Sequence, residues 1–169
     1  MRVKKHEVLY EQRQFPISKM YGKKNISVCC PMDKSGVVYF ENNHRLYNKD
    51  SFKGYTSHLM NHLERTTVGR CCFIMGNVAF HKCDTIKQEI RIRDHRVEYL
   101  PPYSPFSNPI ENMFSKWKDF VKRSNGINKE QLLSCMDHRI TEISVSDCDG
   151  WYRNMKEFIR RSLNREIIT

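Results

Sequence analysis

Cys71-Cys72-Phe73-Ile74-Met75 is an uninterrupted apolar run, bounded by Gly69-Arg70 on one side and Gly76-Asn77 on the other. So short a run, without polar alternation, predicts a strand covered on both faces, which demands packed layers around it. Its flanks supply candidates. Asn48 precedes KDSFKGYTSHLMNHLER, where Phe52, Tyr55, Leu59 and Leu63 recur at helical spacing, and HKCDTIKQEIRI follows the run with a second helical pattern. Upstream, ISVCC at 26–30 and VVYFE at 37–41 flank the turn-rich PMDKSG, predicting an antiparallel hairpin over 25–42. RVEYL at 96–100 predicts another strand, and helices are expected from Asn108 to about Arg123, over 128–143 and over 147–166. Hairpin, helix, strand, helix, strand and then helices is the order of a mixed α/β layer architecture.

A chain of 169 residues suits one domain that buries about two thirds of its unfolded surface. Its 29 Lys and Arg against 19 Asp and Glu give a net charge of +10, which favours an anionic partner, nucleic acid first. The seven cysteines are odd in number and lie partly in the doublets Cys29-Cys30 and Cys71-Cys72 rather than in CxxC spacing. They read as small buried hydrophobes in a reducing compartment, not as a disulfide framework or a zinc site. No apolar run approaches bilayer length and no charged-then-apolar leader opens the chain, so the expectation is a soluble intracellular protein, nuclear in a eukaryote.

LPPYSPFSNPIENMF, residues 100–114, joins a proline-rich loop to a helix start. Asn108 with Glu111 three residues later is capping-box-like, Pro109 takes the first helical position, and Pro101, Pro102 and Pro105 stiffen the approach. On these residues alone Glu111 is as well explained as a capping carboxylate as by any chemistry. The extended stretch LPPYSPFSNPIENMFSKWK resembles the signature around the third acidic residue of mariner-like transposases, their insertion-sequence relatives and the wider DDE endonuclease group. Those proteins read LPPYSPDLNPIE before an amphipathic helix, and this chain differs at Phe106 and Ser107. FIMGNVAFHK at 73–82 resembles the family's apolar strand ending in Met-Asp-Asn with a His shortly after; 34 residues separate Gly76 from Glu111, a family spacing. Weaker likeness runs back through YNKDSF and KKNISV.

The resemblance implies an RNase H-like core, a mixed sheet flanked by helices, incomplete at its N-terminus and followed by a helical extension. As domain organisation it implies one partial DDE transposase catalytic domain over 1–169, with a core at about 20–123 and a helical tail at about 128–167. It also implies DNA transposition through metal-dependent phosphodiester cleavage and strand transfer, with three carboxylates holding two Mg²⁺ or Mn²⁺ ions. Two dications about 4 Å apart repel by roughly 16 kcal/mol at an effective dielectric of 20, so the carboxylates are indispensable. Here Gly76 occupies the second acidic position, leaving Glu111 as the remnant catalytic and metal-binding acid. The first aspartate, on a central strand preceding the hairpin, is expected to be missing, because EVLYEQRQF aligns better with the connection into the hairpin; Glu7 and Glu11 are read as no replacement. The chain is therefore expected not to hold the metal pair and to be catalytically inactive. Alternatives are a non-catalytic DNA-binding or oligomerising remnant, a decayed fragment, or a site completed by another acid such as Asp84 or by a partner subunit.

Lys116, Lys118, Lys122 and Arg123 follow Glu111, and Arg153, Lys156 and Arg160 share a helical face, with Trp117 and Trp151 nearby. They are the candidate contacts to DNA backbone, without base readout. A homodimer or a transposase partner is the other implied association. Tyr103 offers a stacking surface. His81 matches the family's His but reads as structural, and His58 with His62 lacks the glutamate that a zinc-protease motif would need where Leu59 stands.

Overall fold

The computed structural model describes residues 6–16, 25–102, 104, 107–123 and 129–166; Tyr103 lies outside them. The chain divides into two compact units between Tyr103 and Ser104, with the turn Lys34–Val37 grouped with the second.

The first unit is built on strands β1 (His6–Pro16), β2 (Asn25–Asp33), β4 (Glu41–Asn43), β5 (Cys71–Met75) and β6 (Arg96–Tyr99), the two-residue β3 (Gly36–Val37) lying in the turn after β2. β2, β1, β5 and β6 run side by side in that order, and β4 pairs with β2. β1 is antiparallel to β2, with Tyr10 opposite Pro31, and parallel to β5, with Tyr10 opposite Met75. β6 is parallel to β5. The central strand that was expected to be missing is thus present: β1 fills the place between β2 and β5. Its sequence is largely polar, and partners on both sides satisfy its backbone, a stabilisation that local pattern does not disclose.

Helix α1 (Lys49–Arg65) begins at an Asn48–Ser51 capping box and turns Phe52, Tyr55, Leu59 and Leu63 into the core, as the spacing predicts. There they meet Val8 of β1, Cys71, Phe73 and Met75 of β5, and Ile86 and Ile90 of α2 (Asp84–Ile92). Each large apolar side chain buried in this way contributes about 1.5–3 kcal/mol. Cys72 and Ile74 alternate with these β5 residues and are half-buried. The second arm of the expected hairpin is broken: residues 38–40 leave the ladder and β4 resumes it, with Cys29 opposite Glu41. The helix expected from His81 starts later, after a 3-10 turn at Ala79–Lys82.

The second unit contains α3 (Ile110–Arg123), α4 (Lys129–Ile140) and α5 (Val145–Leu163). Ile110, Met113, Phe114, Trp117 and Val121 make a continuous buried stripe on α3. Trp117 is fully buried, and its indole Nε1–H donates to the Met136 carbonyl of α4 at 3.1 Å. α5 opens at a Ser144–Asp147 capping box and buries Cys148, Tyr152 and Met155.

Candidate metal and DNA site

Parallel neighbours on both sides make the C-terminal end of β5 the kind of place where ligands gather in open α/β sheets. Gly76 stands there. Its carbonyl accepts hydrogen bonds from the Val78 amide at 3.0 Å and from His81 Nδ1 at 3.2 Å. His81 is buried, its ring lies 4.6 Å from that of Phe52, and its carbonyl accepts from the Tyr99 hydroxyl at 2.7 Å. Burial pushes the imidazole down to about 4, against the opposing pull of the Gly76 carbonyl, so His81 is neutral with its proton on Nδ1. It fixes the turn after β5, the structural role the sequence suggests. Glu11 of β1 follows Tyr10, whose partner in the parallel ladder, Met75, precedes Gly76.

At the start of α3, Asn108, Pro109 and Ile110 are buried and Glu111 is half-buried. The Glu111 amide donates to the Asn108 carbonyl at 3.1 Å, and the Pro109 carbonyl accepts from the Asn112 amide at 3.1 Å, so the loop sets the helix start at the expected residues. Glu111 sits in the first turn, where the helix dipole favours a carboxylate.

The residues present do not fit a Mg²⁺ or Mn²⁺ pair. Gly76, which the family resemblance puts at the second acidic position, offers no side-chain donor, and among the described residues no three His, Cys, Asp or Glu side chains are grouped to hold a metal ion.

Several candidate phosphate contacts are already engaged. Lys116 is 2.6 Å from Asp147, Arg153 is 3.0 Å from Asp149, Arg160 is 2.6 Å from Glu157, and Lys122 is 3.7 Å from Asp119. Arg123 lies 5.7 Å from the Phe120 ring centre, Lys118 is half-buried, and Lys156 is exposed. Exposed pairs are worth at most about 1 kcal/mol and exchange readily for phosphate. The Lys116 pair differs, since Asp147 also accepts from the Ser144 amide and hydroxyl at 3.0 and 2.7 Å. Asp147 was missed from sequence, although Ser144 and Asp147 stand at capping-box spacing, which is its signal. His58 Nδ1 lies 2.9 Å from Glu41, and the His62 ring lies 5.2 Å from that of Tyr39.

The family described as DDE superfamily endonuclease matches residues 10–133. No curated protein matches the chain by sequence. Among solved structures, the catalytic domain of Mos1 mariner transposase superposes with a TM-score of 0.79 at 15% identity, covering 97% of this chain and 84% of that one. The Mos1 strand transfer complex gives 0.76 at 13% identity, covering 97% and 56%. An intasome of simian T-cell lymphotropic virus with a PP2A regulatory subunit gives 0.61 at 14%, covering 78% and 46%. At these identities the structural likeness establishes the fold, RNase H-like, and the match over about three quarters of the sequence establishes the family. The chain belongs to the DDE superfamily endonucleases.

Proposed function

We propose that this domain engages the DNA backbone within a transposition system and does not itself cleave or join DNA, because its metal site lacks the second carboxylate. The observation that carries this is Gly76 at the end of β5. The family places an aspartate there, and a metal pair stripped of that ligand loses the negative charge that offsets its own repulsion. Glu11 follows Tyr10, the last β1 residue paired with β5, which supports reading it at the first acidic position, and the family resemblance assigns Glu111 to the third, so the set is short of one acid rather than two. DNA engagement is supported by the charge of +10 and by likeness to Mos1 structures that include a pre-cleavage transpososome and a paired-end complex with the left transposon end. Mos1 catalytic-domain structures with Mn and with Mg indicate which ions a restored site would take.

The test has two arms. Wild-type protein should bind a DNA duplex at low ionic strength, weaken steeply with added salt, and leave supercoiled plasmid intact in Mg²⁺ or Mn²⁺. Gly76→Asp should acquire calorimetrically measurable Mn²⁺ binding, and adding Glu11→Gln or Glu111→Gln should remove it. Metal-dependent nicking by wild type, lost in Glu111→Gln, would overturn the inactive assignment. Undetectable DNA binding at low salt would overturn the DNA role, and Mn²⁺ binding indifferent to Glu11→Gln would displace Glu11 from the first position.

A further inference from the structure

Imidazoles hold β5 at both of its ends. At the first residue, the Cys71 amide donates to Nδ1 of His95 at 3.0 Å; just past the last, the Gly76 carbonyl accepts from Nδ1 of His81 at 3.2 Å. The two rings use the same atom in opposite senses. His95 must keep Nδ1 bare, with its proton on Nε2, whereas His81 must carry a proton on Nδ1. Both residues are buried.

We propose that β5 is an acid-released strand: protonation of His95 abolishes its anchor at Cys71, and protonation of His81 drives the turn beyond Gly76 open. A second proton on His95 would place two N–H groups face to face at the Cys71 amide, so the bond cannot survive charging. His81 keeps its bond when charged, but an imidazolium there would be buried against the Phe52 ring, so charging favours a conformation that exposes it.

The surroundings of each ring set the direction of the switch. His95 packs edge-on to Phe73 of β5, with ring centres 5.6 Å apart. Asp94 and Glu64 favour its charged form, Arg93 opposes it, and burial outweighs them, holding the imidazole below the ordinary histidine range. The acids are themselves shared, Asp94 with Arg70 and Glu64 with Arg93. His81 meets Phe52 of α1 and the Tyr99 hydroxyl of β6, with Lys82 and Cys83 following it in the chain. Burial holds it down, against the hydrogen bond to the Gly76 carbonyl, which favours the charged form. Both histidines are therefore neutral at pH 7 and take up protons only when the strand lets go.

Amide hydrogen exchange followed by NMR on the full chain tests this without reference to metal or DNA. Between pH 7 and pH 4, after correction for intrinsic rates, protection of the Cys71 amide should fall by about tenfold more than that of Leu59 in the middle of α1, which follows the stability of the unit as a whole. His95→Asn supplies an acceptor that does not titrate, and should remove the excess fall at Cys71 over Leu59. Constant protection at Cys71, an equal fall at Leu59, or an undiminished excess in His95→Asn would each overturn the proposal. Should that variant fail to fold, the wild-type His95 ring decides: Nε2–H tautomer at pH 7 with a midpoint below the ordinary histidine value supports it, and the opposite tautomer or an ordinary midpoint overturns it.

Discussion

Replacing Asp147 with Ala should destabilise the second unit by about 2 kcal/mol, and the figure can be reached in two ways. By parts, Asp147 Oδ2 takes the Ser144 amide and hydroxyl at the start of α5 and the Lys116 ammonium from α3 at 2.6 Å. A lost N-terminal cap costs about 1 kcal/mol, and a close, half-buried ion pair about 1 more. By titration, the Lys116 ammonium and then Ser144 hold the carboxyl down from 3.8 to about 2. That difference corresponds to at most about 2.4 kcal/mol, reduced to about 2 because the side chain is 24% exposed. The group is depressed in the folded state, so its stabilisation is present above about pH 4 and lost as pH falls through about 2. Both tryptophans, Trp117 and Trp151, lie in the second unit, so urea unfolding followed by their fluorescence reports on it. Lys116→Met should cost about 1 kcal/mol and the double variant little more than Asp147→Ala alone, a coupling of about 1 kcal/mol. Strict additivity, or a Lys116→Met that leaves stability unchanged while weakening DNA binding, would refute the clasp and return Lys116 to the phosphate-binding set.

Trp117→Phe removes the donor to the Met136 carbonyl and part of a fully buried ring, and should lower urea stability by about 1–3 kcal/mol, with Trp151 left to report. Gly36 has φ of +142°, so Gly36→Ala should cost about 1 kcal/mol or more although a Cβ would meet open space, measurable as a thermal midpoint lower by several degrees. Because His81 is held near 4 against an ordinary 6.5, the stability it confers is complete above about pH 6.5 and falls by up to about 3 kcal/mol towards pH 4, seen as a urea midpoint declining over that window. Lys156→Glu should reduce the slope of log affinity against log salt for duplex DNA by about 1 or more.

Elements with strong local signals were legible. The α1 stripe, the Asn48 cap, the five-residue β5 and the Pro109 start of α3 follow from spacing and capping chemistry that a few neighbouring residues determine. β1 was not legible, because HEVLYEQRQFP becomes a strand through ladders to residues near 30 and near 73, and its polar positions carry no strong period. The candidate site was half legible for a related reason. Gly76 and Glu111 are marked by the sequence around them, whereas the placing of Tyr10 beside Met75, and so of Glu11 near the end of β5, depends on a parallel register that only the folded sheet fixes. The basic residues were visible as composition but not their pairings; Lys116 to Asp147 spans 31 positions, beyond any local rule.

The pairing of β1 has a consequence for how the chain is made. Its antiparallel partner β2 follows closely, but its parallel partner β5 is complete only at Met75. A ribosome working at about 5–20 residues per second needs roughly 3–12 s to travel from Pro16 to Met75. During that interval a nascent β1–β2 ribbon would present an open backbone edge to any neighbouring chain. Synthesis is thus the most hazardous moment for this domain, and conditions that slow translation between β2 and β5 should favour aggregation of a protein whose finished sheet encloses that edge.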